Sequence, residues 1–256
     1  MVVTRVLRQY LIITLCLFLG ACVSTRNETA QVDSGRALES HVTLALKYIQ
    51  DKNRESARHH LRRAFEIDRR SVDATFAMAM LYQLEAEPEL AEEHFKRALR
   101  LNSKHTRARN NFGVFLYDQA RYEEAYQQFE QAAADLDYNN RAQVMMNQGR
   151  AALKLDMIDK GKALFEHANQ LNTNLPALKY ELAQLSYQQE DYAAARRYLD
   201  AYEGIARPTA ASLLLGIKLE RRFDNKDKEA SYALLLKNRF PYSQELLEYQ
   251  RLAEED

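Results

Sequence analysis

The chain is poor in the residues that turn, stiffen or cross-link a fold. Seven glycines and four prolines in 256 residues are too few for a sheet-rich or loop-rich architecture, which places such residues at its reversals. There is no tryptophan, and there are only two cysteines. Neither sign of charge prevails: Lys+Arg and Asp+Glu stand at 36 each, so no global field draws in nucleic acid or an anionic membrane. No GxSxG, Walker loop, GxGxxG or HExxH is present, and the glycines are scattered singly. Carboxylates are plentiful, but they fall on polar helix faces, where solvation and i,i+4 pairing account for them. Six histidines raise the question of a metal. His59 and His60 are neighbours, so on a helix they diverge by about 100°, and His41, His94, His105 and His167 have no metal-motif company. All six read as structural or solvated. The expectation is a protein without catalytic centre, cofactor or metal.

What the chain does have is helix-forming composition, with Ala, Leu, Glu, Arg, Gln and Lys dominant. An all-α solenoid or bundle is expected, once the N-terminus has been set aside. Arg5 and Arg8 precede an almost unbroken apolar run from Tyr10 to Leu19, which is short of the roughly 20 residues a spanning helix needs. Then comes Leu19-Gly20-Ala21-Cys22. Small residues before a cysteine, directly after such a run, resemble the bacterial lipobox; an ordinary signal peptide with a coincidental cysteine is the plainer alternative. On the lipoprotein reading, residues 1–21 leave with Cys16, Cys22 is acylated, and no thiol remains for a disulfide. Two acyl chains already give stable anchoring. Val23, standing where Asp would signal inner-membrane retention, points to the periplasmic face of the outer membrane. Residues 22–37, rich in polar side chains without period, read as a flexible tether.

Beyond it a repeat sets in. Ala45, Ala79 and Gly113 recur every 34 residues, followed in the same register by Tyr48, Tyr82 and Leu116; Ala57, Ala91 and Ala125; Leu61, Phe95 and Phe129; and Ala64, Ala98 and Ala132. After a two-residue insertion near Tyr138–Arg141 the pattern resumes with Gly149, Gly161, Phe165 and Ala168, then Ala183, Ala195, Leu199 and Tyr202. A degenerate sixth unit is read through Leu215, Gly216, Ala230 and Leu234. In each unit a small residue on the first helix allows close approach, and the second helix offers Ala, a large apolar residue and Ala on one face. The pattern resembles the tetratricopeptide repeat (TPR). It implies an all-α right-handed superhelix of about six helix hairpins, near 38–71, 72–105, 106–139, 142–175, 176–209 and 210–243, with 244–256 as a C-terminal cap.

In TPR folds the first helices line a concave face, and the residue two before the small column points into it. That column reads Thr43, Ala77, Asn111, Asn147 and Glu181. An asparagine amide can bond both the N–H and the C=O of an extended peptide. Asn111 and Asn147, with Asn110, Arg107, Arg150 and Lys154 a turn away, make a basic stretch that would suit a segment bearing carboxylates. Tyr117 and Tyr187, one residue past a core position, lean either towards the groove or into packing. The alternative is that these side chains are solvated and the asparagines bond between repeats.

Two segments carry residues that the repeat itself does not require. One is Asn110-Asn-Phe-Gly-Val-Phe-Leu-Tyr, continuing into Arg121-Tyr-Glu-Glu-Ala-Tyr. The other is Ser212-Leu-Leu-Leu-Gly-Ile-Lys-Leu, followed by Ala230-Ser-Tyr-Ala-Leu-Leu-Leu-Lys-Asn-Arg-Phe-Pro. Both resemble the PilF/PilW family of type IV pilus biogenesis lipoproteins. The resemblance implies a pilotin: an outer-membrane lipoprotein that binds the pilus secretin subunit, helps it localise and assemble into its multimeric pore, and so supports pilus biogenesis and twitching motility. Another outer-membrane TPR scaffold, for barrel assembly or for cell-wall hydrolases, has the same anchor and repeat physics. An enzyme with accessory repeats would have only the residues after Ser243 for its chemistry.

Overall fold

A computed structural model of the chain describes residues 25–254, with side chains from residue 33 onward. Cys22 and the expected signal peptide lie outside the described residues. Within them are thirteen α-helices and no strand. The first four are α1 (Thr25–Gln50), α2 (Arg54–Ile67), α3 (Val72–Leu84) and α4 (Pro88–Leu101). Next come α5 (Thr106–Asp118), α6 (Tyr122–Ala133), α7 (Arg141–Lys154) and α8 (Ile158–Leu171). The last are α9 (Pro176–Gln188), α10 (Tyr192–Glu203), α11 (Ala210–Arg222), α12 (Lys226–Arg239) and α13 (Gln244–Glu254). Twelve of them pair in order as hairpins, so the all-helical expectation holds. No described helix is long and apolar enough to cross a membrane.

One local device builds every hairpin. Between its two helices stands a single residue in the left-handed region: Lys52, Ala86, Ala120, Asp156, Glu190 and Asp224, with φ between 51° and 61°. None is glycine. The N–H that follows each of them reaches back to close the helix, as Asn53 does to the Tyr48 carbonyl at 2.8 Å and Asp191 to the Ser186 carbonyl at 2.9 Å. Those bonds satisfy carbonyls that a helix end otherwise leaves open. The second helix then starts on a side-chain cap in α2, α10 and α12, where Asn53, Asp191 and Asn225 accept from the N–H three residues on.

The chain divides into two compact units, one ending at Ala108 and the other beginning at Arg109. In the first unit α1 packs on α2 and α3 on α4, around Ala45, Ala57, Leu61, Ala64, Ala77 and Leu81. Phe76 and Phe95 meet there at 6.3 Å between ring centroids. In the second unit the large residue of each second helix fills the space beside the small residue of the first. Phe129 lies against Gly113, Phe165 against Gly149 and Tyr232 against Gly216. Phe95, Phe129 and Phe165 are fully buried, and each contributes about 1.5–3 kcal/mol by leaving water.

Two expectations are corrected. Residues 25–37, expected as a tether, continue α1 as helix, because the segment has no proline and one glycine and so nothing in it stops the helix that Leu38–Gln50 requires. In the sixth hairpin Ala230 is exposed and Leu234 is 60% exposed, whereas Tyr232, Ala233 and Leu236 are buried. Gly216 fixes that register: its missing side chain leaves a slot that the Tyr232 ring fills. Further order comes from Glu220, a carboxylate only 2% exposed, which accepts from Arg196 of α10 at 3.0 Å and from Asn225 at 2.9 Å.

Candidate partner-binding groove

In the second unit the C-terminal ends of α5, α7 and α9 border a cavity of about 500 Å³. Tyr117 comes from α5; Arg150, Leu153 and Lys154 from α7; Glu181, Gln184, Leu185 and Gln188 from α9; Ile158 opens α8. The repeat explains the convergence. Tyr117 and Lys154 sit near the last turns of successive first helices; Arg150 and Gln184 are one repeat apart, and Glu181 stands three residues before Gln184 on the same face. Arg150 Nε donates to Glu181 Oε1 at 2.7 Å, with both side chains partly exposed. Leu153, Ile158 and Leu185 supply apolar wall, while Gln184 and Gln188 supply amides that can both donate and accept. The Tyr117 ring rests edge-on against Tyr122, 5.1 Å between centroids. Burial, and next the neighbouring Tyr122, push its ionisation above the ordinary phenol value, so it is a neutral hydrogen-bonding group.

Of the residues singled out from sequence, the cavity gathers Tyr117, Arg150 and Lys154. Asn147 stands next to it in the fold but is engaged: its Nδ2 donates to Asn110 Oδ1 at 3.4 Å, and its Oδ1 accepts from Gln143 at 3.2 Å. Asn147 and Asn110 therefore join successive repeats, a bond made by Asn110 rather than by Asn111. Asn111 lies partly buried on α5 at the expected register. Tyr187 turns away, packing on Tyr192 at 5.4 Å, near Arg222, which sits over the Tyr192 ring. Arg107 belongs to the first unit, where its guanidinium lies 5.4 Å over the Phe76 ring and borders a separate cavity of about 270 Å³ with Leu38, Val42 and Asp73. There a hydrogen bond from His105 at 2.9 Å, aided by the charges of His105 and Arg107, holds the Asp73 carboxyl below its usual range.

Sequence reasoning missed Leu153, Ile158, Gln184, Leu185 and Gln188, and had Glu181 only as a member of a column. Carrying the helix period one turn forward from Glu181 would have found Gln184, Leu185 and Gln188, since positions three, four and seven later share its face. It also treated His41 apart from His60, and the structure brings them together across the first hairpin.

A tetratricopeptide-repeat family profile matches residues 72–105, that is α3, α4 and their flanks. The type IV pilus assembly protein PilF of Pseudomonas aeruginosa is 40% identical over 246 residues, covering 95% of this chain and 98% of its own. The chain belongs to the PilF family. The solved P. aeruginosa PilF structure superposes with a TM-score of 0.81 at 41% identity, over 86% of this chain and 99% of that one. PilW, described as a widely conserved type IV pilus biogenesis factor, follows with a TM-score of 0.74 and 25% identity, over 83% and 98% of the two chains. This member of the PilF family is thus a PilF/PilW-like TPR protein of type IV pilus biogenesis.

Proposed function

We propose that this PilF-family protein is a lipid-anchored pilotin on the periplasmic face of the outer membrane. It binds the type IV pilus secretin subunit and promotes its localisation and multimer assembly. The observation that carries the reading is the end-to-end similarity to PilF, 40% identity over nearly the whole length of both chains. The anchor rests on Leu19-Gly20-Ala21-Cys22, which offers the thiol that a diacylglycerol would take. Capture is by binding rather than catalysis: the cavity beside α5, α7 and α9 presents cations, amides and apolar wall, a set that holds an extended segment. Its lining carries Arg150 and Lys154 against Glu181, a surplus of one positive charge, which suits a segment bearing a carboxylate.

The test is membrane fractionation of the source bacterium with and without the gene, following the secretin as heat-resistant multimer or monomer. Deletion, or Cys22→Ala, is expected to convert multimer to monomer or to leave secretin outside the outer membrane. Unchanged secretin would leave a pilus-assembly TPR protein with a different client.

A further inference from the structure

The first hairpin carries three of the six histidines, and two of them meet. His41 Nδ1 of α1 and His60 Nδ1 of α2 lie 3.0 Å apart, on rings whose centroids are 5.3 Å apart. Tyr48 stacks on His60 at 5.5 Å with an interplanar angle of 11°, and His59 abuts it edge-on at 5.3 Å, so the His60 ring is braced on two sides. Both His41 and His60 are only half-buried, within reach of an ion from solvent. With both rings neutral, one Nδ1 carries the shared proton and the other offers a lone pair. Moving that proton to Nε2 is a change of tautomer without change of charge, and it frees both Nδ1 lone pairs; a small rotation of the rings then turns them to one ion.

We propose that His41 and His60 form a two-histidine site for a divalent transition-metal ion of the copper or nickel type. The span fits a cis pair of ligands. With metal–nitrogen bonds of about 2.0–2.1 Å, a separation of 3.0 Å subtends about 94° at the metal. That is the cis angle of a tetragonal or square-planar centre, which with N and O ligands favours Cu²⁺ or Ni²⁺. A tetrahedral zinc ion would hold the two nitrogens about 3.3 Å apart. Among the described residues no group of three His, Cys, Asp or Glu is poised around one ion, so water completes the shell. Arginines on the same helix oppose a cation less than their number suggests, because Arg58 pairs with Glu85 and Arg63 with Glu66. A bound ion would clip α1 to α2, and it requires neutral imidazoles, so occupancy falls as pH falls through the histidine range.

The experiment is a titration of the full chain, purified without a polyhistidine tag and stripped of metal, with Cu²⁺, read by calorimetry and electron paramagnetic resonance. One Cu²⁺ per chain is expected, with nitrogen hyperfine structure from two imidazoles and a raised thermal midpoint. His41→Gln and His60→Gln should each weaken binding by roughly tenfold or more, while His167→Gln, exposed on another hairpin, leaves it unchanged. The nitrogen count in the wild-type spectrum stands even if a variant folds poorly. A spectrum without two imidazole nitrogens overturns the site. So does a two-imidazole spectrum and affinity that persist in folded His41→Gln and His60→Gln.

Discussion

At Gly149 the missing side chain is what lets α7 and α8 meet. A Cβ built there would lie 2.5 Å from a Phe165 ring carbon and 3.2 Å from the Gly161 carbonyl. Phe165 is fully buried and the carbonyl is backbone, so neither has room to retreat. Replacing a mid-helix glycine with alanine gains up to about 1 kcal/mol of helix propensity, whereas overpacking a core costs about 1–3 kcal/mol. Gly149→Ala is therefore expected to destabilise by about 1 kcal/mol, and Gly149→Val by clearly more; urea unfolding at unchanged slope reads both. His60 makes a different residue-scale prediction. Burial first, then the nearby His41 and His59, hold its imidazole below its ordinary value of 6.5. A histidine lowered in the fold binds fewer protons folded than unfolded, so its contribution is present above about pH 6.5 and is lost as pH falls below that value. In chelator-treated buffer the urea midpoint of the wild type should drop more steeply on acidification than that of His60→Gln. Equal slopes would mean that His60 titrates alike folded and unfolded.

Helices and their packing columns were legible in the sequence because side-chain size recurs in it. Ala57, Ala91 and Ala125 and then Phe95, Phe129 and Phe165 announce the close approach and its filler, and they are fully buried or nearly so. The places of three turns, at residues 51–54, 118–121 and 188–191, were legible too, but their left-handed conformation was not. A reader expects glycine at positive φ, yet the six turns use Lys, Ala, Ala, Asp, Glu and Asp, so only the packing on either side forces the conformation. Left-handed backbone costs a residue with a Cβ roughly 1–2 kcal/mol, against about 0.4–1 kcal/mol of extra unfolded-state freedom for glycine. Ala120→Gly, at φ 57° and exposed to solvent in the turn, is thus expected to stabilise by roughly 0.5–1 kcal/mol, visible as a higher thermal midpoint. Neighbouring substitutions such as Gln119→Gly, outside the left-handed position, should do the opposite. The misread sixth hairpin has the same origin: Leu234 and Tyr232 are both large and apolar, and only the slot at Gly216 says which one turns inward.

At the scale of the whole molecule, the proposed function puts anchoring and capture in different places, so they can be separated. The cavity was half legible: helix period led to Arg150, Lys154 and Tyr117, but the sequence could not reveal that Asn147 spends its amide on Asn110 and Gln143. The capture hypothesis therefore rests on Lys154 rather than on the asparagines. Lys154→Glu changes the lining charge from one surplus positive to one surplus negative, since Arg150 and Glu181 then face a second carboxylate. Exposed charge pairs are each worth about 0.2–1 kcal/mol, so reversing one should weaken a carboxylate-bearing segment by roughly 2- to 30-fold. The loss should shrink at high salt, because the group is exposed and screened. Cys22→Ala is expected to leave affinity for the soluble secretin domain unchanged while abolishing delivery to the outer membrane. Lys154→Glu should leave the protein in the membrane fraction and weaken secretin binding in titrations at low and high salt. If Lys154→Glu binds as the wild type does at both, the cavity of α5, α7 and α9 is not where the client docks, although the anchor could still hold.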